Sequence, residues 1–230
     1  MKILLLGATG AVGKLALDDL LTANHEVKAL VRNASVVNKK HLRLTVVQGE
    51  ATNAADLDKV LAGQDAVLST IGAPTNKRTT LRADIARNLV AGMKKHGVPK
   101  LVWLDAAGVG SSREFVLRSS FLFGRILMPL FLNHMYEDAA VADAIIEKSG
   151  CDWVVVRPVS FTNNAKTGNV SVVTDMSLTV SLHLRMARAD VAAFLVSKWS
   201  RMIMSGRCQS SILKRSFGDR RPNFDRSFVA

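Results

Sequence analysis

The alternation of short aliphatic runs with longer segments of helical periodicity constrains the fold of this chain more than any other feature. Six mainly apolar runs recur before position 160, at residues 3–6, 27–31, 44–47, 65–70, 101–104 and 153–156. Segments with helical spacing separate several of these runs, and the longest covers residues 79–97 and ends at a glycine. Strands that alternate with helices form βαβ units, and continuously apolar runs are typical of strands covered on both faces. The pattern therefore predicts the α/β class, with a doubly wound parallel sheet between two layers of helices.

Composition narrows the class of function. Of the 230 residues, 48% are apolar and 22% are charged, as in ordinary globular domains. The net charge is +12, but residues 201–230 hold seven Lys and Arg against two Asp and Glu and so carry +5 of it. The rest of the chain is mildly basic and has no stripe of Lys and Arg among aromatic residues, so we expect no nucleic-acid partner.

The cysteines and the first residues bear on the compartment. Cys151 and Cys208 have neither the spacing of metal ligands nor that of a disulfide framework, which favours a reducing compartment. The first apolar run is too short for the hydrophobic region of a signal peptide. We therefore expect a cytoplasmic protein without a metal site.

A glycine-rich turn, Gly7-Ala-Thr-Gly10-Ala-Val-Gly13, lies between the first predicted strand and the first predicted helix. We expect Gly7 to end the strand in a tight turn, Gly10 to let the backbone approach a pyrophosphate, and Gly13 to let the helix lie close to the sheet. The N–H groups and the dipole of a helix N-terminus favour phosphate, and Thr9 adds a hydroxyl donor. The placement of this turn predicts a dinucleotide-binding site.

Arg32 ends the second predicted strand, nineteen positions after Gly13. At about 20 residues after such glycines, a carboxylate binds the ribose 2′-hydroxyl of NAD, whereas an arginine accommodates the 2′-phosphate of NADP. No Asp or Glu takes this place, and the planar guanidinium group pairs well with phosphate. The residue predicts NADPH as the preferred cofactor, with NAD as the alternative; a second interpretation is an arginine that only faces solvent.

Five segments, taken in order, resemble the atypical short-chain dehydrogenase/reductase superfamily: GATGAVG at 7–13, LVRN at 30–33, the block 48–72, DWVVVRP at 152–158 and RMARADVAAFL at 185–195. The resemblance is to its NmrA-like NAD(P)-binding proteins and its flavin reductase/biliverdin reductase B group, over about residues 1–200. It implies a Rossmann fold with three αβα layers. It also implies cofactor contacts at Gly7, Thr9, Gly10, Ala11, Val12, Gly13, Arg32, Glu50, Ala51, Thr70, Ile71, Gly72 and Pro158.

The chain departs from this superfamily at the positions that carry its usual chemistry. Many members have serine after the fifth strand and a later Tyr-x-x-x-Lys, but here Asp105 and Ala106 stand in the serine places. Tyr136 is followed by Ala140 where the lysine would stand. Without that cation a tyrosine, with a reference pKa of about 10, is a poor base near neutrality. We therefore do not expect the alcohol-dehydrogenase mechanism.

Three residues are candidates for a catalytic role: Asp105, His134 and Tyr136. Asp105 is a candidate acid near the nicotinamide, and His134 is a candidate proton donor in the cleft. Other interpretations stay open, since Asp105 suits a helix cap or an ion pair with Arg157, and Tyr136 suits packing at the start of a helix.

We expect residues 1–200 to form the NAD(P)-binding domain, with a cleft or flap insertion at about 109–135 and a basic, irregular tail at 201–230. The strongly apolar segment 121–132 is too short to span a bilayer, which takes about 20 residues. It has three interpretations: a flap over the cleft, an oligomer interface or a membrane-surface segment. Its place after the fifth strand favours the flap, because ligands of open α/β sheets bind at that edge.

Two functions fit these features. The first is hydride transfer from NADPH to a flavin, a quinone or a similar planar acceptor, which asks the protein mainly to orient the two rings. The second is an NmrA-like redox sensor that binds NAD(P) without turnover. As partners we expect a small planar acceptor and no transmembrane segment, in a monomer or a homodimer.

Overall fold

The computed structural model describes residues 1–72, 77–119, 133–173, 185–205 and 209–215. The strands in these ranges are β1 (Lys2–Leu6), β2 (Glu26–Val31), β3 (Leu44–Gln48), β4 (Ala66–Ser69), β5 (Lys100–Leu104), β6 (Asp152–Pro158), β7 (Phe161–Thr162), β8 (Val170–Val173), β9 (Met186–Ala187) and β10 (Gln209–Arg215). The α-helices are α1 (Ala11–Thr22), α2 (Ala54–Leu61), α3 (Leu81–His96), α4 (Arg113–Ser119), α5 (Asn133–Glu147) and α6 (Arg188–Ser205). Short 3₁₀ turns lie at Ala34–Val36 and Gly110–Ser112. All six strands predicted from the apolar runs are confirmed.

The first six strands form a parallel sheet in the order β3-β2-β1-β4-β5-β6. β1 pairs with β2 on one side and with β4 on the other, so the winding of the chain reverses at β1. This is the strand order of the doubly wound Rossmann fold, and it confirms the predicted fold class. Ligands of such sheets bind at the carboxyl ends of the strands beside the reversal.

The continuously apolar strands supply a hydrophobic core on each face of the sheet. In β1, Ile3 and Leu5 belong to one cluster, whereas Leu4 and Leu6 belong to the other. Side chains of α1 and α6 complete the first cluster, and side chains of α2, α3 and α5 complete the second. Each fully buried aliphatic side chain contributes about 1.5–3 kcal/mol, so this two-sided burial explains why the strands carry no polar alternation.

The end of α3 shows how a local signal sets a helix boundary. The helix ends at His96, and Gly97 follows with φ at 65°, in the left-handed region that glycine enters without strain. The backbone N–H of Val98 then donates to the carbonyl of Met93. The predicted end of this helix at Gly97 is confirmed.

Part of the predicted irregular tail has regular structure. Residues 201–205 belong to α6, and β10 pairs with β6 in parallel and with β8 in antiparallel orientation. The sequence QSSILKR of β10 has only two consecutive apolar residues, so its strand character comes from the sheet edge that it joins. The rest of the tail, 206–208 and 216–230, lies outside the described residues.

The predicted insertion is described at its two ends. The 3₁₀ turn Gly110–Ser112 leads directly into α4, and α5 begins at Asn133. The apolar segment 121–132 lies outside the described residues, so its three interpretations stay open. In the part of the chain that the structure describes, no helix has the length and apolar character to cross a membrane.

Candidate functional site

The glycine turn lies at the carboxyl end of β1, at the point where the strand order reverses. Gly7 has φ at 84°, and its carbonyl accepts a hydrogen bond from the N–H of Gly10 at 2.9 Å. A side chain on Gly13 would overlap the carbonyl group of Gly7, so only glycine lets α1 pack this closely on the turn. The turn role predicted for Gly7 and the packing role predicted for Gly13 are confirmed.

The N-terminus of α1 has the features of an anion site. Gly10 is the N-cap residue and offers no side-chain cap, and the first turn of the helix carries no acidic residue. Thr9, Gly10 and Ala11 are exposed, while Val12 turns into the core. Among the described residues, a Cβ atom on Gly10 would meet only the Gly7 carbonyl oxygen, at 3.3 Å, so this part of the structure leaves the outer side of the residue open. Uncapped N–H groups and the positive end of the helix dipole suit a phosphate group.

Thr70 supports the glycine turn from the end of β4. Its hydroxyl lies 3.0 Å from the carbonyl oxygen of Leu6 and 3.3 Å from that of Gly7, and it donates to this pair of acceptors. A Cβ atom on Gly7 would lie 2.7 Å from this hydroxyl, which adds a steric reason for glycine there. Ile71 and the exposed Gly72 follow at the same edge, where the sequence predicts that they close over the cofactor. The half-buried Thr70 thus stabilises the glycine turn, and this role does not depend on any contact between Thr70 and a ligand in the crevice.

Arg32 and the segment after β3 lie side by side at this edge. Val31 is in register with Gln48, so Arg32 and Gly49 leave the sheet at neighbouring points. The side chain of Arg32 is exposed and forms no hydrogen bond or ion pair with any of the described residues. It is therefore available to an anionic ligand.

Two residues that the sequence analysis missed support the segment at Glu50 and Ala51. Asp56 accepts a hydrogen bond from the backbone N–H of Glu50 at 3.0 Å, and this bond, together with the ammonium group of Lys59, lowers the pKa of Asp56. Asn88 of α3 donates to the carbonyl of Thr52 at 2.7 Å. The side chain of Glu50 is exposed above this supported segment. In the sequence, Asp56 and Asn88 resemble ordinary helix residues. Only their contacts in the structure identify their role in supporting this segment.

Asp105 is buried just beyond β5 and is held by an arginine from α3. Its Oδ1 accepts from Nη1 of Arg82 at 2.5 Å and from the N–H of Ala106 at 2.8 Å. Arg82 also donates to the carbonyl of Leu104 at 3.1 Å and lies over the ring of Trp103. The alternative ion pair of Asp105 with Arg157 is wrong, because Arg157 binds Asp143 instead, at 2.6 Å.

Tyr136 is also buried, as the packing interpretation predicts. Its hydroxyl donates to the carbonyl of Ala107 at 3.1 Å, and burial and the nearby Asp105 charge raise the pKa of Tyr136 to about 12. His134 is half-buried on the first turn of α5, with Nδ1 3.4 Å from a carboxyl oxygen of Glu137. The structure thus brings Asp105 and Tyr136 together behind the β5 edge. Catalytic roles for these two residues and for His134 stay predictions.

Pro158 ends β6 at the same edge of the sheet. The residue is buried, and its carbonyl accepts from the N–H of Ala107 at 3.1 Å. This bond joins the end of β6 to the loop after β5, next to the place where the sequence predicts the nicotinamide.

A comparison with known protein families finds one matching family model, described as NAD(P)H-binding, over residues 7–199. An uncharacterized chloroplastic protein of Arabidopsis thaliana is 30% identical to the chain over 236 aligned positions, which cover 95% of this chain and 80% of the relative. The family match includes the glycine turn and the strands β2 to β6.

Solved structures of similar fold include three reductase-like proteins. An oxidoreductase from Lactococcus lactis has a TM-score of 0.74 at 20% identity, covering 94% of this chain and 92% of its own. An anaerobillin reductase from Escherichia coli O157:H7 has a TM-score of 0.69 at 21% identity, covering 92% and 97%. A short-chain dehydrogenase/reductase from Veillonella parvula, solved in complex with NADP, has a TM-score of 0.70 at 13% identity, covering 94% and 95%. At these identities the likeness concerns the fold.

Proposed function

The chain belongs to the NAD(P)H-binding family, and on that premise we propose that it is an NADPH-dependent oxidoreductase that transfers hydride to a flavin, a quinone or a similar planar acceptor. The observation that carries this proposal is the open N-terminus of α1 beside an unpaired, exposed Arg32, within the described residues. The first feature suits a pyrophosphate, and the second suits an additional phosphate on the adenosine ribose.

In the proposed complex, each predicted cofactor contact is assigned to one part of the dinucleotide. The backbone from Gly7 to Gly13 would hold the pyrophosphate, and Arg32 would pair with the 2′-phosphate. Glu50 and Ala51 would flank the adenine. Thr70, Ile71, Gly72 and Pro158 would border the nicotinamide half of the crevice. The bound nicotinamide would supply the hydride.

The β5 edge favours an acceptor that needs little help from protein acids. Among the described residues there, Asp105 and Tyr136 are buried, and Oδ1 of Asp105 and the hydroxyl of Tyr136 bind groups of the protein itself. A phenol with a pKa of about 12 and no neighbouring lysine does not exchange protons readily near neutrality. A flavin or a quinone accepts hydride at an electrophilic centre and takes its proton from water, so the protein contributes mainly orientation. One solved structure of similar fold is an anaerobillin reductase, which supports a reductase role for the fold.

The test is turnover of NADPH, followed at the nicotinamide absorbance, with FMN, FAD, dichlorophenolindophenol and menadione as acceptors. We expect NADPH oxidation with at least one of them and slower oxidation with NADH. A small carbonyl compound such as acetaldehyde is the matched control, because its reduction needs a protein acid. Faster turnover of the carbonyl than of every planar acceptor would contradict the proposed mechanism.

A second candidate function is a redox sensor that binds NAD(P) without turnover. The same enclosure of Asp105 and Tyr136 favours it, since neither described side chain is exposed to a substrate. Calorimetric binding of NADPH together with no oxidation across the acceptor panel would select this function over the first. The cytoplasmic location and the monomeric or homodimeric state stay predictions.

A further inference from the structure

The surface beyond the end of β6 is formed by two short strands. β7 begins three residues after Pro158 and pairs in parallel with β9, and the N–H of Met186 donates to the carbonyl of Ser160 at 2.8 Å. We call residues 161–164 and 185–188 the β7–β9 rim. Because β7 extends from the carboxyl end of β6, the rim borders the crevice next to the place predicted for the nicotinamide.

The exposed charges of this region are positive. The described residues 159–173 and 185–190 contain one acid, Asp190, and three cations, Lys166, Arg185 and Arg188. Asp190 is 3% exposed, and its carboxylate accepts three hydrogen bonds of 2.7–2.9 Å from residues 167 and 168. Its oxygens are thus occupied inside the fold, and neither arginine of the rim forms an ion pair with a described residue.

Arg188, the first residue of α6, is held in one orientation by two contacts. Its Nη1 donates to Oδ1 of Asn163 at 2.5 Å, and its guanidinium carbon lies 5.2 Å from the centre of the Phe161 ring. A guanidinium group has five N–H donors, and no other hydrogen bond joins Arg188 to the described residues. The half-buried side chain therefore presents unused donors at a fixed position, so it loses less conformational entropy when it binds an anion.

The 2′-phosphate of the dinucleotide does not account for this arginine. Its predicted site at Arg32 follows β2, and the strands β1, β4 and β5 lie between β2 and β6. Four strand spacings of about 4.8 Å place β2 roughly 19 Å from β6. The glycine turn, where the pyrophosphate is predicted, follows β1 at three spacings, roughly 14 Å, from β6. The rim therefore lies at the end of the crevice where the acceptor meets the nicotinamide.

We propose that the β7–β9 rim binds a phosphate or carboxylate group of the planar acceptor, and that Arg188 determines the preference for acceptors that carry such a group. This inference rests on the proposed function and narrows its substrate class to anionic acceptors. Arg185 adds a second exposed cation at the rim. The anionic group is remote from the ring that takes the hydride, so its contact is equally strong in the ground state and the transition state. Loss of Arg188 should therefore raise KM and leave kcat nearly unchanged.

FMN and riboflavin are the probes, because they share one isoalloxazine ring and only FMN carries a phosphate. NADPH oxidation is measured with each flavin for wild type and for Arg188→Gln. We expect wild type to prefer FMN, and Arg188→Gln to lower kcat/KM for FMN about tenfold through KM, as for one partly exposed hydrogen bond between charged groups. For riboflavin, kcat/KM should change less than about twofold. Added salt should reduce the preference of wild type for FMN.

Lys166→Gln is the matched control, because Lys166 is an exposed cation of the same region that interacts electrostatically with Asp19 of α1. It should keep the wild-type preference for FMN. Arg188→Lys keeps the charge without the planar fork, so it should recover part of that preference. In Arg188→Gln, equal losses for both flavins, or no loss for either, would overturn the proposal. Weaker calorimetric binding of NADPH by this variant would also overturn it, because Arg188 would then act on the dinucleotide.

Direct binding separates this proposal from the proposed function. Quenching of flavin fluorescence is titrated on protein saturated with NADP⁺, a measurement that needs no turnover. Tighter binding of FMN than of riboflavin by wild type, lost in Arg188→Gln, supports the anion site even where no acceptor of the panel is reduced. In that case the oxidoreductase activity fails and the anion site stands. Equal affinities for the two flavins in wild type, or no binding of either, overturn the anion site whether or not NADPH is oxidised.

Discussion

Replacement of Arg32 by aspartate tests the cofactor assignment most directly. Hydrogen bonds to charged groups contribute about 1.5–3 kcal/mol, and the exposure of Arg32 places its contribution at the lower end of that range. Aspartate adds repulsion of the 2′-phosphate, for a total loss of about 2–3 kcal/mol. This loss corresponds to roughly 30- to 150-fold weaker binding of NADPH. NADH carries a 2′-hydroxyl, to which a carboxylate can bind, so its affinity should stay equal or rise.

The assay is calorimetric titration of wild type and Arg32→Asp with each nucleotide, at low and at physiological ionic strength. The difference between the variants should shrink at the higher ionic strength, because exposed charges are screened. Lys40→Asp is the matched control: it makes the same charge change at another exposed residue after β2. It should weaken NADPH binding only slightly. An unchanged ratio of NADPH to NADH affinity in Arg32→Asp would refute the assignment of Arg32 to the 2′-phosphate.

Three further predictions concern stability and pH. Gly13→Ala should lower the melting temperature and abolish dinucleotide binding, because the new methyl group overlaps the Gly7 carbonyl. Gly72→Ala, whose methyl group would meet no atom of the described residues within 4 Å, should stay near wild type in thermal denaturation. Tyr136→Phe leaves the buried Ala107 carbonyl without its donor, so it should lower the free energy of unfolding in urea by about 1–2 kcal/mol. The kcat of this variant should change less than about threefold. A loss of kcat of about a hundredfold at unchanged stability would instead make Tyr136 catalytic. Burial and the N-terminal ammonium group lower the pKa of His25, so its NMR titration should have a midpoint below the usual value of about 6.5. Protonation of His25 then favours the unfolded chain, so the stability that the neutral ring contributes should be lost as pH falls below about 6.5. A His25→Gln variant whose free energy of unfolding depends on pH as steeply as that of wild type would contradict this.

The sequence alone determined the layers of the fold and the position of the glycine turn. Strand burial on both faces follows from continuous apolar runs such as residues 3–6, and the end of α3 follows from Gly97, because these signals act within a few residues of the chain. The reasons for Gly7 and Gly13 are likewise local, since strand, turn and helix are contiguous. Patterns that involve only residues close together in the sequence can be interpreted without knowledge of contacts between distant residues.

Only the tertiary structure decided the partners of the buried charges and the edge of the sheet. Asp105 pairs with Arg82 rather than with Arg157, because the packing of α3 and α5 against the sheet determines which guanidinium group reaches it. The strand β10 exists because β6 and β8 offer backbone groups on both sides, and its own residues signal little. Such contacts join residues far apart in the chain, and their free energy depends on burial and geometry that no local pattern encodes.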